Sequence, residues 1–427
     1  MSSSSTDLLH YIILIVGDEI LEGRRVDRHV SCMSRTLAPY GLRCIRAEVV
    51  ADRREWLQQS IERAQSEVDL VLITGGLGPT VDDITREVIA ETLGTDLTEN
   101  DDVLEMIRAR FMKTGRDMTD NNRRQALVPQ DGTFIPNPNG TAPGLVYDKN
   151  GKYIIAMPGP PRELEPMLRD SVIGLLQKRF RLDTKFSHQM LRFCCIGESN
   201  IDTVFRDEIG QPPDLKISSL AQLGTVDLTL YLPGESTEIN IRLNQYADCL
   251  RKKLAPYIYS ENDRTLAETV GALLMQQSQT LAVAESCTGG MLGSVLTDNP
   301  GASDYFKGGI IAYNNDVKRD CLGVDEGLLK QHGAVSQPVA EAMAQGARKA
   351  LGADWGVSLT GVAGPGGGTD DKPVGTVWIA AAQPDGAVFS FKTALFGDRT
   401  SIRQRSCVYA LDEVRRLLLN MEPHQNR

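Results

Sequence analysis

The chain has 427 residues, which at about 150 residues per domain predicts two or three domains and excludes a single small module. Apolar residues make up 41% and charged residues 24%, a balance typical of folded globular proteins rather than disordered or fibrous chains. The 46 basic and 56 acidic residues give a formal charge of −10, so no overall positive field attracts nucleic acid or an anionic membrane surface.

The first predicted domain, residues 1–179, alternates strands with helices, which is typical of a parallel α/β sheet. The predicted strands and helices in chain order are a strand at 12–16, a helix near 27–40, a strand at 42–50, a helix at 54–66 and a strand at 69–74. Helical spacing follows at 82–93, 100–114 and 119–127, and a strand at 153–157 precedes a closing helix.

A glycine-rich segment follows the strand at 69–74, at the strand end where open α/β sheets usually bind ligands. Its backbone N–H groups suit a phosphate, and the two carboxylates that follow suit a hard divalent ion shared with substrate phosphates. The alternative interpretation is that one carboxylate only caps the next helix. The predicted nucleotide-site residues are Gly75, Gly76, Gly78 and Thr80, with Asp82 and Asp83 as metal ligands.

Residues 180–260 are predicted to form a small α+β domain, with strands at 189–196, 215–219 and 226–232 and one helix near 238–253. The third domain, residues 261–427, opens on a capping box formed by Thr265 and Glu268. Its predicted strands lie at 280–284, 309–313, 355–361, 374–382 and 388–395. Its predicted helices lie from about 288, at 315–322, 325–331, 337–351 and 399–419. The fold class is therefore α/β, with two separate α/β domains joined by the small one.

Ser286 lies at the end of an apolar strand and before small residues, the setting of a nucleophile at a helix start. The next strand is predicted to end at Tyr313, and Lys318 follows five residues later. Parallel neighbouring strands would bring the three side chains into one cleft, where a partly desolvated lysine could serve as the base. The alternatives are a structural serine in a tight turn and a lysine on a solvated helix face.

A third strand ends in the segment from Ala363 to Gly368, whose glycines would let N–H groups approach an anion closely. Arg399, just before the last helix, could add a charge-assisted bond to a phosphate. The alternative is that the glycines only form a turn.

Five strings in the third domain resemble the nicotinamide-nucleotide amidohydrolase domain of the CinA family: AESCTGG (284–290), IAYNNDVK (311–318), GAVS (333–336), LTGVAGPGGG (359–368) and KPVGTVW (372–378). The resemblance implies hydrolysis of nicotinamide mononucleotide to nicotinic acid mononucleotide and ammonia, without a cofactor. It implies Ser286 as the nucleophile, with Lys318 and Tyr313 moving its proton and that of the leaving amine. The substrate-binding residues it supports, together with our prediction for the oxyanion donors and the glycine loop, are Thr288, Gly289, Gly290, Thr360, Gly364, Gly366 and Arg399.

The first domain resembles the other half of the same family, which has the molybdopterin-binding fold. The resemblance rests on residues 17–23, 74–85, 121–126, 137–144 and 158–161. It implies metal-dependent hydrolysis of ADP-ribose to AMP and ribose 5-phosphate, and a small KH-like domain in the middle segment. This chain departs from the family's Asn-Thr-Asn by carrying Asp27, Arg28 and His29, which changes the charge and room of the cleft. His29 is interpreted as a packed or surface histidine, with a metal ligand as the alternative.

The eight cysteines show no C-x-x-C spacing, which predicts reduced thiols and a cytoplasmic protein. No stretch approaches the roughly 20 apolar residues that a membrane span requires. The expected partners are small nucleotide substrates and a second copy of the chain, with no nucleic acid and no membrane. Two rival functions stay open, a molybdopterin-handling protein and a non-catalytic nucleotide sensor.

Overall fold

The computed structural model describes residues 9–180, 182 and 186–426. The chain divides into two compact units. The first unit extends to Ser187 and includes Pro233–Glu235, and the second contains His188–Leu232 and the chain from Ser236. No helix among the described residues is both long enough and apolar enough to cross a membrane.

The first unit alternates strands and helices as predicted and adds an antiparallel hairpin. Its strands are β1 (Leu9–Val16), β2 (Leu42–Val50), β3 (Leu70–Thr74), β4 (Leu97–Glu99), β5 (Leu127–Pro129), β6 (Gly132–Ile135), β7 (Gly144–Lys149) and β8 (Lys152–Met157). Its helices are α1 (Asp18–Leu21), α2 (His29–Leu37), α3 (Arg54–Glu67), α4 (Thr85–Leu93), α5 (Asp101–Thr114), α6 (Pro161–Met167) and α7 (Ile173–Phe180). The predicted helix at 119–127 is a 3-10 helix, Asp120–Ala126.

Six strands form the main sheet of this unit, in the order β2-β1-β3-β8-β7-β6. The first four pair in parallel, whereas β8, β7 and β6 pair antiparallel. From Tyr11 to Val16 strand β1 is buried and apolar because both of its faces are covered: Ile12 and Leu14 lie in one core, and Ile13 and Ile15 lie in the other. The parallel strands therefore end together at one edge, where the glycine-rich segment begins.

The second unit contains two sheets. Its strands are β9 (Phe186–Cys194), β10 (Lys216–Ala221), β11 (Thr225–Pro233), β12 (Ile258–Ser260), β13 (Leu281–Glu285), β14 (Phe306–Ile311), β15 (Trp355–Gly361), β16 (Thr376–Ala382) and β17 (Val388–Ala394). Its helices are α8 (Glu198–Glu208), α9 (Thr237–Leu254), α10 (Leu266–Gln276), α11 (Met291–Thr297), α12 (Asn315–Leu322), α13 (Glu326–His332), α14 (Gln337–Ala350) and α15 (Arg399–Leu418). The sheets run β10-β11-β9-β12 and β14-β13-β15-β16-β17.

The α/β architecture is confirmed, and two elements of the second unit differ from the sequence-based expectation. Helix α8 was not predicted, because its helical periodicity rests only on Ile201, Val204 and Phe205 in a mostly polar segment. Strand β14 ends at Ile311 rather than at Tyr313, and it begins at Phe306 through two glycines of weak strand propensity. The capping box of Thr265 and Glu268 is formed as predicted.

Strand β13 lies second in the C-terminal sheet, between β14 and β15, and pairs in parallel with both of them. Its side chains alternate between two cores: Leu281 and Val283 face the core that includes α10 and α15, and Ala282 and Ala284 face the core that includes α12 and α14. This arrangement brings the carboxyl ends of β13, β14 and β15 to one edge of the sheet.

A buried ionic network lies in the second unit around Asp412 of α15, which is fully buried. The Asp412 carboxylate accepts hydrogen bonds from Arg415 Nε at 2.7 Å, Arg416 Nε at 2.9 Å and His424 Nε2 at 2.8 Å. Burial alone would raise the pKa of Asp412, but the bond from His424 and the charges of the two arginines hold that pKa well below its usual range.

The two arginines of this network also bind the segment before β12. Arg415 Nη2 donates to the Pro256 carbonyl at 2.7 Å, and Arg416 Nη2 donates to the same oxygen at 3.2 Å. Cys194 Sγ lies 3.1 Å from Asp412 Oδ1. Cys194, Cys195 and Asp412 are the one group of three close potential metal ligands among the described residues. Because Asp412 already neutralises two guanidinium groups, we interpret this group as structural.

Asp412→Asn is expected to destabilise the second unit by about 3–5 kcal/mol, because it leaves two buried guanidinium groups without a counter-charge. Urea unfolding followed by circular dichroism measures the effect. Asp320→Asn is the control, since Asp320 pairs with Arg319 at the surface and should leave the unfolding midpoint nearly unchanged. Equal midpoints for the two variants would contradict a stabilising role for the network.

Candidate functional site

Ser286 lies in the turn between β13 and α11. Its N–H donates to the Leu359 carbonyl at 2.9 Å, which fixes the serine against the neighbouring strand β15. Gly289 and Gly290 then take positive φ angles of 60° and 93°, a region that favours glycine, and turn the chain into α11. We call residues 286–290 the nucleophile turn.

Lys318 lies on α12 and is buried, with 1% of its surface exposed. Its Nζ donates to Ser286 Oγ at 3.2 Å and to the Ala312 carbonyl at 2.7 Å. Burial lowers the pKa of Lys318 below its ordinary value, and no carboxylate forms an ion pair with it in the described part of the chain. The interpretation of Lys318 as a solvated helix residue is therefore wrong.

The predicted juxtaposition of Ser286 and Lys318 follows from the sheet order, because β13 and β14 are parallel neighbours and α12 follows β14. The Tyr313 side chain takes no part in the hydrogen bond between Ser286 and Lys318, and 61% of it is exposed. Its hydroxyl accepts a hydrogen bond from Arg399 Nη2 at 3.0 Å, and its carbonyl lies 3.4 Å from Lys318 Nζ. The tyrosine thus lies beside the pair, at the mouth of the site.

The N–H groups expected to form the oxyanion hole are mostly engaged by the protein. Gly290 N–H donates to the buried Glu285 carboxylate at 3.0 Å, and Gly289 N–H donates to the Ser286 carbonyl at 3.2 Å. The Thr288 N–H forms no hydrogen bond within the described residues, and the buried Thr288 hydroxyl has no partner there either. Of the three predicted donors, the Thr288 N–H is therefore the one without a partner among the described residues, and Thr288 itself is fully buried.

The glycine loop after β15 contacts its neighbours in the site through its backbone. Arg399 Nη1 donates to the Gly364 carbonyl at 2.8 Å, so the arginine joins this loop to Tyr313. Gly366 is exposed at the loop surface. Thr360 is buried, with 1% of its surface exposed, and its hydroxyl donates to the Ala334 carbonyl at 2.7 Å.

Arg403 was not among the predicted residues. Its guanidinium donates through Nε at 3.2 Å and Nη2 at 2.6 Å to the Thr288 carbonyl in the nucleophile turn. A possible sequence signal is its position four residues after Arg399, which places both on one helix face. That signal alone does not distinguish it from an arginine facing solvent.

A second cleft, of about 340 Å³, opens in the first unit at the carboxyl ends of β1, β3 and β8. Its walls combine loop backbone with acidic side chains and two cations. The lining residues used below are Arg25, His29, Glu19, Asp52, Asp82, Asp83 and the glycines of 75–78. The Thr74 hydroxyl joins the two loops of this cleft by donating to the Pro158 carbonyl at 3.1 Å.

The predicted glycines of this cleft are needed for close packing. Gly75 and Gly76 take φ angles of 98° and 64°. A Cβ at Gly75 would overlap the Val16 carbonyl oxygen, and a Cβ at Gly76 would overlap the Thr85 hydroxyl. The N–H groups of Gly76 and Gly78 have no hydrogen-bond partner within the described residues, so they are free to bind an anion.

Gly76→Ala is expected to destabilise the first unit by about 1–2 kcal/mol from backbone strain, with the overlap at Thr85 adding to it. Gly94→Ala is a matched control, because Gly94 has a φ of 61° but nothing within 4 Å of an added Cβ. Urea unfolding of both variants measures the difference. Equal losses would show that the loop tolerates a side chain at position 76.

Asp82 and Asp83 differ in their surroundings. Asp83 Oδ2 accepts from the Thr80 N–H at 2.8 Å and from the Thr80 hydroxyl at 2.5 Å, so it stabilises the turn before α4. Asp82 is exposed at the cleft. Neither carboxylate caps α4, because the described residues show no side-chain hydrogen bond at its N-cap, Ile84, so the capping alternative is wrong. Asp83 stabilises the preceding turn instead, and Asp82 stays available to a ligand.

His29 is buried, and both of its ring nitrogens are engaged. Nδ1 lies 2.8 Å from Asp27 Oδ1, and Nε2 lies 2.6 Å from the Gly159 carbonyl oxygen. A carbonyl oxygen only accepts, so Nε2 carries a proton and offers no lone pair to a metal. The structure supports a packed histidine that joins α2 to the loop after β8.

Two arginines outside the predicted set hold the same loops. Arg124 donates to the Thr80 carbonyl at 2.6 Å and the Asp83 carbonyl at 3.1 Å, and the fully buried Arg86 donates to the Leu77 carbonyl at 3.0 Å. Arg124 belongs to the segment 121–126 on which the resemblance partly rests, but a contact to a loop about 40 residues away has no local sequence signal.

Two protein-family models match the chain. The model described as the CinA C-terminal domain matches residues 263–418, and the one described as a probable molybdopterin binding domain matches residues 12–178. The two matches together include both the nucleophile turn and the second cleft.

Two curated relatives match nearly the whole chain. A CinA-like protein from Rippkaea orientalis is 43% identical over 415 residues, covering 95% of this chain and 99% of its own. A CinA-like protein from Crocosphaera subtropica is 41% identical over 411 residues, with 95% and 99% covered. Among solved structures, the competence/damage inducible protein CihA from Agrobacterium tumefaciens is 38% identical, covers 36% of this chain and 94% of its own, and has a TM-score of 0.35.

Proposed function

Because the chain belongs to the CinA family, we propose that its C-terminal domain hydrolyses the carboxamide of nicotinamide mononucleotide to nicotinic acid mononucleotide and ammonia. The observation that carries the proposal is the hydrogen bond of 3.2 Å between Lys318 Nζ and Ser286 Oγ, with the lysine buried. A buried amine without a carboxylate partner loses its proton more readily than an exposed one, which suits a general base.

The reaction has two steps. The neutral Lys318 amine takes the Ser286 hydroxyl proton as Oγ bonds to the carboxamide carbon, and the tetrahedral intermediate then expels ammonia to leave an acyl-enzyme. Tyr313 accepts from Arg399, so its own O–H is free to pass a proton to the leaving amine. Water then attacks the acyl carbon and gives a proton to the Tyr313 phenolate, while protonated Lys318 returns its proton to Ser286 Oγ as that oxygen leaves, and the acid is released.

The surroundings of Ser286 fit the substrate's charges. The Thr288 N–H is fully buried and has no hydrogen-bond partner among the described residues, and it is our candidate donor to the developing oxyanion, as backbone donors are in acyl transfer. Arg399 brings a fixed positive charge to the loop of Gly364, where it could bind the substrate phosphate. The site residues supply all the groups that the proposed chemistry uses, without a metal or cofactor.

Ammonia release from nicotinamide mononucleotide by the purified full chain tests the proposal. We expect release in the presence and in the absence of a chelator, with nicotinic acid mononucleotide as the other product. A wild-type protein that releases no ammonia would overturn the assignment. Binding of the mononucleotide without turnover would then favour the rival function of a nucleotide sensor.

The second cleft supports a second candidate function, metal-dependent hydrolysis of ADP-ribose to AMP and ribose 5-phosphate. The observation in its favour is the combination of free glycine N–H groups with the acidic residues Glu19, Asp52 and Asp82 along one cleft. Carboxylate oxygens fit a hard divalent ion, and Asp82 with its neighbours would hold such an ion, which supplies charge neutralisation at the phosphates.

Assays of ADP-ribose with and without a divalent ion test this second function, with Asp82→Asn as the variant. We expect ion-dependent release of AMP that the substitution weakens. Absence of hydrolysis together with tight binding of molybdopterin would favour the rival function of a molybdopterin-handling protein. The hydrogen bond of 2.8 Å between His29 and Asp27 lies beside this cleft, which His29 lines.

A further inference from the structure

We propose that Arg403 is a positioning residue for Ser286, an inference that rests on the proposed amidohydrolase function. Arg403 does not contact Ser286 itself. Two of its donor atoms, Nε and Nη2, bind one acceptor, the Thr288 carbonyl, two residues after the serine. The guanidinium therefore acts on the backbone of the nucleophile turn.

Two side chains bind the backbone of the nucleophile turn and the start of α11. The buried Glu285 carboxylate accepts hydrogen bonds from the N–H groups of Gly290 at 3.0 Å and Gly293 at 2.8 Å. The Arg403 guanidinium donates to the carbonyl of Thr288. Arg403 thus fixes the peptide group between Thr288 and Gly289, and Glu285 fixes the next one, between Gly289 and Gly290.

This turn needs such contacts because its own backbone is permissive. Gly289 and Gly290 both lie at positive φ, and glycine visits many other conformations at little cost. The Gly289 N–H donates to the Ser286 carbonyl at 3.2 Å, and this hydrogen bond closes the turn. Rotation of the peptide between Thr288 and Gly289 would break that bond. Such a change would move Ser286 Oγ relative to Lys318, and errors of about 1 Å in reacting geometry cost roughly 100-fold in rate.

Helix α15 carries both Arg403 and Arg399, and each of them binds a segment of the site. Arg399 and Arg403 are four residues apart, so they lie on one helix face. Arg399 binds the Gly364 carbonyl and the Tyr313 hydroxyl, whereas Arg403 binds the nucleophile turn. The first turns of α15 therefore join three separate segments of the site, and Arg403 is the residue that binds the turn containing the serine.

The test compares Arg403→Ala with Gln404→Ala, an exposed neighbour on the same helix. We expect Arg403→Ala to lower kcat by about 100-fold with KM changed less than about threefold. The loss should be equal for nicotinamide mononucleotide and for nicotinamide riboside, which lacks the phosphate. Arg403→Lys should recover part of the rate, and added guanidinium ion should partly rescue Arg403→Ala.

A large rise in KM for the mononucleotide alone would instead make Arg403 a phosphate ligand and overturn the proposal. Hydrogen exchange of the peptide covering 286–293 gives a readout that needs no activity. We expect faster exchange in Arg403→Ala than in Gln404→Ala, and equal exchange would also overturn the proposal. A wild-type chain without amidase activity would refute the proposed function, while the exchange result would still decide whether Arg403 holds the turn.

Discussion

Replacing Ser286 with alanine is expected to reduce ammonia release from nicotinamide mononucleotide by roughly 10⁴-fold or more, because the acyl-enzyme can no longer form. The hydrogen bond between Lys318 Nζ and Ser286 Oγ identifies this hydroxyl as the one whose proton has a base. Steady-state ammonia release measures the loss. ADP-ribose chemistry in the first unit should be unchanged in the same variant.

Ser358→Ala is the matched control for this prediction. Ser358 is fully buried in β15 and donates to the Ala340 carbonyl at 2.6 Å, so its loss tests the effect of removing a buried hydroxyl near the site. We expect this variant to keep most of the wild-type rate per folded molecule. Substantial ammonia release by Ser286→Ala would remove the serine mechanism.

Replacing Lys318 with methionine is expected to lower kcat/KM by about 10²–10⁴-fold, the usual contribution of a general base. Lys318→Arg should be similarly inactive, because a guanidinium keeps the charge but does not give up its proton. Lys330→Met, on an exposed helix face, is the control and should leave the rate unchanged. An active Lys318→Arg would show that the positive charge, and not the base, is what the reaction needs.

The wild-type rate should also depend on pH, in a direction set by the protonation of Lys318. Burial lowers the pKa of Lys318 below its ordinary value, and only the neutral amine can accept the serine proton. The value of kcat/KM should therefore rise with pH through the Lys318 pKa and fall as the lysine becomes protonated. The rising limb should lie below the ordinary titration range of lysine, and it should disappear in Lys318→Met.

Sequence reasoning predicted the pair of Ser286 and Lys318 because the information is local. An apolar strand before Ser286 and a second one before Lys318 predict parallel neighbours, and the structure pairs β13 with β14 in that way. Burial of Lys318 could not be predicted, since a lysine on α12 can face solvent or the sheet. That choice depends on how α12 packs against α14.

Other parts of the site depend on long-range contacts. Arg403 reaches a carbonyl 115 residues earlier in the chain, and Glu285 turns back onto the N–H groups expected to bind the oxyanion. The Arg403 contact is long-range, whereas Glu285 binds an N–H only five residues later in the chain. The resemblance identified the string that contains Glu285 but none that contains Arg403, and only the structure separates a donor that is free from one that is already bonded.

The Asp412 network has a practical consequence for isolating the amidohydrolase domain as a fragment. A fragment that starts at the predicted boundary, residue 261, would lack the Pro256 and Ile258 carbonyls to which Arg415 and Arg416 donate, as well as the Cys194 side of the network. Those buried donors would then face water or a void. A fragment that retains the small domain from about His188 should be the more stable one, since that is where the second unit begins.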